Sequence, residues 1–175
     1  ATGTNYQNMG MEPGLAPEEW LFQAPERVVE LHRAFVTAGA DMVLTCTFGA
    51  TPLRLTEGPL RGRAREVNLR AAELAREGAG PGVLVAGSLG RTGQLIEPYG
   101  LLNREDAVAA YGEQAQALAD GGVDLLVLET IIAIGLALEP AAVTETVVVV
   151  GARTDVIKQT ATAATTISQR VVDDL

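Results

Sequence analysis

A helix followed by a short buried strand recurs three times in the first 130 residues, at nearly constant spacing. In each unit the apolar residues share one helical face, at offsets of three, seven and ten: Val28, Leu31, Phe35 and Ala38; Ala64, Val67, Ala71 and Leu74; Val108, Tyr111, Ala115 and Leu118. Glycine and a short apolar run follow each helix, and we expect strands over residues 42–44, 83–86 and 125–128. Helices that alternate with buried strands predict parallel strands joined by crossover helices. The fold class is therefore α/β, either a β/α barrel or a doubly wound sheet.

Helix-start residues support this repeat. Pro25 suits the first turn of the first helix, where its missing N–H would have no partner in any case. Asn103, three residues before Asp106, is typical of the residue that caps a helix N-terminus. The joints after the first and third helices are also alike, AGAD at residues 38–41 and GGVD at residues 121–124. We therefore expect the repeated units to be alike in structure.

Composition limits the classes of protein that this chain can belong to. Its 175 residues are enough for one domain with a real core, and 47% hydrophobic with 20% charged residues is the balance of a soluble globular protein. A net charge of −9 without a basic patch argues against nucleic acid as a partner. A single cysteine and no signal-peptide pattern favour a reducing, cytoplasmic setting. Apolar stretches are too short to span a bilayer, which argues against a membrane partner.

The strongest functional candidate is Glu129, which ends the run GGVDLLVLET at residues 121–130. Its apolar centre is typical of a strand buried on both faces in a parallel sheet. Ligands collect at the C-terminal ends of such strands, and a buried carboxylate there needs a partner. Glu129 could bind a substrate amine or act as a general base. The alternative is a structural ion pair or hydrogen bond.

The loops after the other strands supply weaker candidates. Thr47 could give a pocket its hydroxyl and Phe48 an apolar wall, although packing alone would explain both residues. We expect residues 87–93 (GSLGRTG) to form a tight glycine-rich turn with Ser88 as a ligand contact. An anion cradle is the other interpretation, but the spacing matches neither a phosphate-binding loop nor a dinucleotide fingerprint. The opening residues 1–7 (ATGTNYQ) are similar to a loop that follows a strand.

Four further residues are interpreted as structural. Cys46, beside an apolar strand, is more typical of an inert core residue than of a nucleophile. His32 flanks the apolar face of the first helix and is interpreted as a packed or surface histidine. Together these two are too few for zinc, which needs three or four ligands. Asn68 is assigned a local hydrogen bond, and Trp20 an anchor that packs a loop onto the end of the sheet.

Residues 131–175 do not continue the repeat. A strand is predicted at residues 147–150 and a helix over residues 156–175, on weak patterns. We expect residues 1–175 to form one domain.

Seven motifs, taken in order, give residues 1–130 a resemblance to the homocysteine S-methyltransferase family. They are residues 1–7 (ATGTNYQ), 31–33 (LHR), 38–41 (AGAD), 45–50 (TCTFGA), 66–68 (EVN), 85–93 (VAGSLGRTG) and 122–130 (GVDLLVLET). The family includes betaine–homocysteine methyltransferase and the homocysteine-binding module of cobalamin-dependent methionine synthase. The motif sequences here are most similar to those of the methionine synthase module.

The resemblance implies an eight-stranded β/α barrel of the TIM type that binds homocysteine and zinc. Three cysteine thiolates hold the zinc in this family, and the metal takes up the homocysteine sulfur as the thiolate, which is the nucleophile for the methyl group. The glutamate that matches Glu129 contacts the substrate amine, and Phe48 matches a wall of the pocket. Ala1 and Thr2 match the loop after the first strand, which also lines the substrate site.

The chain departs from the family pattern at several points. The Asp-Gly pair that precedes Ala1 in the family is absent, Arg91 replaces proline, and Cys46 replaces asparagine. The zinc cysteines belong to later strands and are not supplied after Thr130. A full barrel takes roughly 250 residues, so we expect about half a barrel, from a longer enzyme or an inactive remnant.

Three functions follow as hypotheses. The first is an enzyme, or part of one, that moves a methyl group to homocysteine sulfur from methylcobalamin, betaine or S-methylmethionine, with cobalamin supplied by another domain. The second is a barrel-derived binding or scaffolding piece without metal or catalysis. The third, an unrelated barrel enzyme that binds phosphate at residues 87–93, lacks a supporting cluster of basic residues.

Overall fold

Helices and strands alternate along the chain in the computed structural model, which describes residues 2–129 and the backbone of residues 147–148. The helices are α1 (Thr2–Asn8), α2 (Trp20–Gln23), α3 (Pro25–Thr37), α4 (Ala64–Ala79) and α5 (Arg104–Asp120), with a 3-10 turn at Pro17–Glu19. The strands are β1 (Met42–Leu44), β2 (Leu84–Leu89), β3 (Leu125–Leu128) and β4 (Val147–Val148). The predicted helix at residues 156–175 lies outside the described residues.

The four strands form one parallel sheet in the order β1-β2-β3-β4. Helix α4 contacts both α3 and α5, so the helices are neighbours in the same order as the strands. A doubly wound sheet would reverse its strand order at a switch point. Sequential parallel order is instead the arrangement of a β/α barrel wall, and within the described residues it forms part of such a wall.

The expectation that residues 87–93 form a loop is wrong for its first three residues. Gly87, Ser88 and Leu89 belong to β2, where they pair with Leu126, Val127 and Leu128 of β3. Gly87 is needed there because an added Cβ would lie only 2.9 Å from a Leu126 methyl carbon and 3.0 Å from one of Leu118. The loop begins at Gly90, so the first three of the seven residues considered for an anion cradle lie in the strand.

Glycine ends α3 and α5 in the same way. After α3, Gly39 has φ of 93° and Ala40 N–H bonds to the Phe35 carbonyl; after α5, Gly122 has φ of 79° and Val123 N–H bonds to the Leu118 carbonyl. Positive φ strains residues with a side chain, which explains why both joints carry glycine. The structural likeness expected from the AGAD and GGVD joints is confirmed.

The starts of α3 and α5 also match expectation. Pro25 is the first residue of α3. The Asn103 side-chain oxygen accepts a hydrogen bond of 2.8 Å from the Asp106 N–H at the start of α5. This bond satisfies one of the four N–H groups that a helix N-terminus leaves unpaired.

Replacing Asn103 with alanine should lower the free energy of unfolding by about 1 kcal/mol, the usual loss for a deleted cap. Urea unfolding followed by circular dichroism measures this change. Asn103→Asp keeps the acceptor and serves as the control, because a carboxylate is also favourable at a helix N-terminus. Equal losses in both variants would contradict a capping role.

The predicted buried face is confirmed for α4 and partly wrong for α3. Ala64, Val67, Ala71 and Leu74 are all buried, whereas Phe35 is 46% exposed and Ala38 is exposed. Helix α3 turns Val29 and His32 inward instead, because α4 packs closely against it at Gly78. His32 is therefore a packed histidine.

The opening of the chain is a helix, so the expected loop at residues 1–7 is wrong for Thr2 onwards. Its sequence has weak helix propensity, but Tyr6 is fully buried and its ring lies 5.1 Å from that of Trp20. Tertiary packing of this kind overrides local propensity. Trp20 is itself buried and anchors this segment against α3 and α4.

Among the described residues, none of the helices is both long and apolar enough to cross a membrane.

Candidate functional site

The C-terminal ends of β1, β2 and β3 lie side by side and carry the polar residues predicted to be functional. Ser88 and Glu129 meet there: the Ser88 hydroxyl donates a hydrogen bond of 2.7 Å to Glu129 Oε2. The Glu129 N–H donates to the Leu89 carbonyl at 2.9 Å, which continues the sheet ladder to this residue. Glu129 is half-buried, and its other carboxylate oxygen is not engaged by this bond. We call Ser88 and Glu129 the rim pair.

Two buried threonines hold Ser88 in place from β1. The Ser88 N–H donates to Thr45 Oγ1 at 3.0 Å, and Thr47 Oγ1 donates to the Ser88 carbonyl at 2.7 Å. The two threonine hydroxyls lie 2.6 Å apart. The main chain of Ser88 is thus fully engaged, and its hydroxyl is left to orient Glu129. Thr47 is fully buried and supports Ser88 from within the wall.

A buried amide pair connects this region to the helices. Gln114 of α5 donates through Nε2 to the Thr47 carbonyl at 2.8 Å and to Asn68 Oδ1 at 3.2 Å. Asn68 of α4 donates in turn to the carbonyls of Ala50 and Ala64. Asn68 therefore does more than form a local bond, since it also fixes the loop after β1. Both side chains are fully buried.

Sequence reasoning missed Gln114, although a signal was present. Gln114 lies one turn after Tyr111 and one turn before Leu118, on the buried face of α5. A polar residue on an otherwise apolar helix face needs a partner inside the protein. That pattern would have marked it as part of a buried network.

Phe48 forms the apolar part of the rim. It lies in the loop after β1 and is 37% exposed, so its ring faces outward in part. Gly90, immediately after β2, packs directly under it: an added Cβ at Gly90 would lie 2.6 Å from the Phe48 ring and would overlap the Phe48 carbonyl oxygen. Phe48 is thus held beside the strand that carries Ser88.

A second missed residue, Glu18, contacts the loop after β1. Its Oε1 accepts a hydrogen bond of 2.7 Å from the Gly49 N–H, and the residue is only 5% exposed. Burial raises the pKa of the Glu18 carboxyl, while its own main-chain N–H, the Gly49 N–H and the positive charge of Arg54 act in the opposite direction. No local pattern in the sequence marks this glutamate as buried.

Cys46 is a core residue, as predicted. It is buried at 5% exposure, and this burial, together with the nearby Glu18 carboxylate, raises the pKa of its thiol well above the usual value. A protonated thiol is a poor nucleophile and a poor metal ligand.

The residues present do not fit the zinc that the resemblance implies. Across residues 2–129, no three His, Cys, Asp or Glu side chains are grouped so that they could hold a metal ion. The whole sequence has one cysteine, so a set of three thiolates cannot come from these 175 residues. His32 lies on α3, packed against α4, and does not complete a metal-binding group.

The two predicted site residues at the start of the chain differ in whether the structure describes them. Ala1 lies outside the described residues, and Thr2 is half-buried at the start of α1. Their contact with substrate stays a prediction.

Comparison with known proteins gives the same family as the motifs. The homocysteine S-methyltransferase family model matches residues 1–170, which extends beyond the resemblance at residues 1–130. The homocysteine methyltransferase MmuM from Escherichia coli is a structural relative. Its metallated form is 26% identical with a TM-score of 0.66, over 75% of this chain and 52% of that one. Its oxidized form is 27% identical with a TM-score of 0.64, over 75% and 51%.

The chain thus spans about half the length of these solved enzymes. Its parallel sheet with sequential strand order is similar to their fold, which is of the TIM-barrel type. Since the family model covers nearly the whole chain, this protein belongs to the homocysteine S-methyltransferase family.

Proposed function

We propose that this chain supplies the homocysteine-binding wall of an enzyme that transfers a methyl group to the sulfur of homocysteine, giving methionine. The observation that carries the proposal is the rim pair: a half-buried carboxylate, oriented by the Ser88 hydroxyl, at the C-terminal end of a barrel-type strand. Family membership and the likeness to homocysteine methyltransferases support the same substrate.

The rim pair suits an α-amino group. A carboxylate has lone pairs enough to accept from Ser88 and from a substrate ammonium at once. Charge-assisted hydrogen bonds of this kind are about twice as strong as neutral ones. Phe48, in the loop after β1, offers apolar surface to the methylene chain of homocysteine. Methyl transfer to sulfur depends mainly on positioning the two reactants, so a rigid wall contributes directly to the rate.

Methylcobalamin, betaine and S-methylmethionine remain the candidate donors, and a cytoplasmic location stays a prediction from composition. The family resemblance implies zinc, and one solved form of the relative MmuM is metallated. One cysteine in 175 residues cannot supply the family's three thiolates. The same observation favours a second candidate function, a homocysteine-binding piece without metal or catalysis.

We expect Glu129→Gln to weaken homocysteine binding by about tenfold to a hundredfold, the effect of losing one charge-assisted hydrogen bond of about 1.5–3 kcal/mol. The Gln side chain keeps the size and can still accept from Ser88, so the fold should be intact. Isothermal titration calorimetry with homocysteine under reducing conditions measures the change.

Two controls separate amine recognition from a general effect. Glu113→Gln removes one negative charge from the exposed face of α5 and should leave binding unchanged. The desamino analogue, 4-mercaptobutanoate, should bind the wild-type chain and Glu129→Gln equally, because it lacks the group that Glu129 recognises. A wild-type chain that does not bind homocysteine, or a Glu129→Gln variant that binds it equally well, would refute the proposal. Methyl transfer and zinc content of the wild-type protein then separate the enzyme from the metal-free alternative.

A further inference from the structure

The buried carboxylate of Glu18 is not explained by the stability of its own segment. It lies on the 3-10 turn Pro17–Glu19, before α2, and the Gly49 N–H is 31 residues away in sequence. Burying a carboxylate is unfavourable unless it is well bonded. The Gly49 N–H provides such a bond to the Glu18 carboxylate. The carboxylate in turn holds the Gly49 N–H in place.

The main chain around Gly49 shows what this bond does. The loop after β1 turns back on itself: Thr47 N–H donates to the Thr45 carbonyl, and Ala50 N–H donates to the Thr47 carbonyl, both at 3.0 Å. The Gly49 N–H between them goes to Glu18. The fit is close, since a Cβ at Gly49 would lie 2.9 Å from Glu18 Oε1. Glu18 therefore fixes the peptide that joins Phe48 to Gly49.

That peptide is also held on its opposite side. The Phe48 carbonyl and ring rest on Gly90, which follows Leu89 of β2, and Leu89 accepts the main-chain bond from Glu129. Phe48 is thus clamped between Gly90 and the Glu18-bound peptide, next to the rim pair.

We propose that Glu18 is a positioning residue, which locks the Phe48–Gly49 peptide so that Phe48 forms the apolar wall of the homocysteine site. The inference rests on the proposed function for its ligand, but the locking itself can be measured without ligand. Glu18 does not touch the substrate in this proposal; it acts through Phe48.

The first test is amide hydrogen exchange by NMR on the wild-type chain, Glu18→Ala and Glu18→Gln. In Glu18→Ala, the Gly49 amide should exchange about tenfold faster or more, as expected for one lost charge-assisted bond, while the β2 amides keep their rates. Glu18→Gln retains an acceptor oxygen and should restore slow exchange. Glu12→Gln, an exposed carboxylate of the same segment, is the matched control and should change nothing. The emission of Trp20, the sole tryptophan, reports whether each variant is folded.

The second test is a double-mutant cycle on homocysteine affinity. Glu18→Ala and Phe48→Ala should each weaken binding about fivefold to tenfold, and the double variant should bind within about twofold of Phe48→Ala alone, because coupled residues do not add. A purely structural role would instead give additive losses. Should Glu18→Ala not fold, Gly49→Ala, whose Cβ displaces the carboxylate, replaces it in both tests.

The two proposals fail differently. A wild-type chain that does not bind homocysteine overturns the proposed function. Unchanged Gly49 exchange in Glu18→Ala, or additive losses with Phe48→Ala in a chain that binds homocysteine, overturns the role of Glu18 and leaves the rim pair as proposed.

Discussion

Gly90→Ala is expected to lower the free energy of unfolding by about 3 kcal/mol or more, at the upper end for a single overpacking substitution. The reason is a backbone contact. The new Cβ would overlap the Phe48 carbonyl oxygen and lie 2.6–2.7 Å from the Phe48 ring. A carbonyl cannot rotate away as a side-chain tip can, so the loop after β1 must move. Homocysteine binding should weaken about fivefold to tenfold as well, as in Phe48→Ala, because Phe48 and the rim pair would separate.

Gly112→Ala is the matched control for this prediction. Gly112 lies on the exposed side of α5, with no atom within 4 Å of an added Cβ. Alanine should stabilise the protein there by about 0.5–1 kcal/mol, since glycine is unfavourable within a helix. Urea unfolding of both variants, followed by Trp20 fluorescence, gives the comparison. A Gly90→Ala variant within 1 kcal/mol of the wild type would show that the loop yields easily and that the clamp on Phe48 is weak.

The repeated elements could be predicted from sequence because their signals are local. A helical face at offsets of three, seven and ten, or glycine at a helix end, can be recognised from residues that are close together in the sequence. Local signals located α3, α4, α5 and the strands within a few residues, and they placed Glu129 at a strand end. They placed Ser88 in the loop after a strand, whereas it belongs to β2. They did not show that the Ser88 hydroxyl bonds to Glu129, because that contact joins residues 41 positions apart.

The missed features depend on partners distant in sequence. Gln114 is explained by Thr47, 67 residues away, and Glu18 by Gly49, 31 residues away. Helix α1 forms although its residues do not favour one, since Tyr6 is buried against Trp20. In α3, the close approach of α4 at Gly78 buries His32, whereas Phe35 stays exposed. Periodicity predicts the buried face of a helix to within about one residue. Tertiary contacts then determine which of the neighbouring residues are buried.

Because the His32 imidazole is buried, the free energy of unfolding should decrease as pH falls from about 6.5 to about 4. His32 is 4% exposed, and its Nε2 has no hydrogen-bond partner within residues 2–129. Burial lowers the pKa of its imidazole to about 4. In the unfolded chain the pKa is near 6.5, so within this interval the unfolded state binds the extra proton and is favoured. The contribution of neutral His32 to the free energy of unfolding is fully present above pH 6.5 and is lost as pH falls towards 4.

The expected loss is about 3 kcal/mol between pH 7 and pH 4, at 1.36 kcal/mol for each unit of pKa difference. His32 is the only histidine, so the difference between the wild type and His32→Leu isolates it. Carboxylates common to both chains cancel, including Glu18, whose raised pKa acts in the opposite direction and stabilises the fold on protonation. Urea unfolding of both chains at several pH values should show the wild type losing about 3 kcal/mol relative to His32→Leu as pH falls. A constant difference between the two chains would mean that solvent or a proton acceptor reaches the imidazole between α3 and α4.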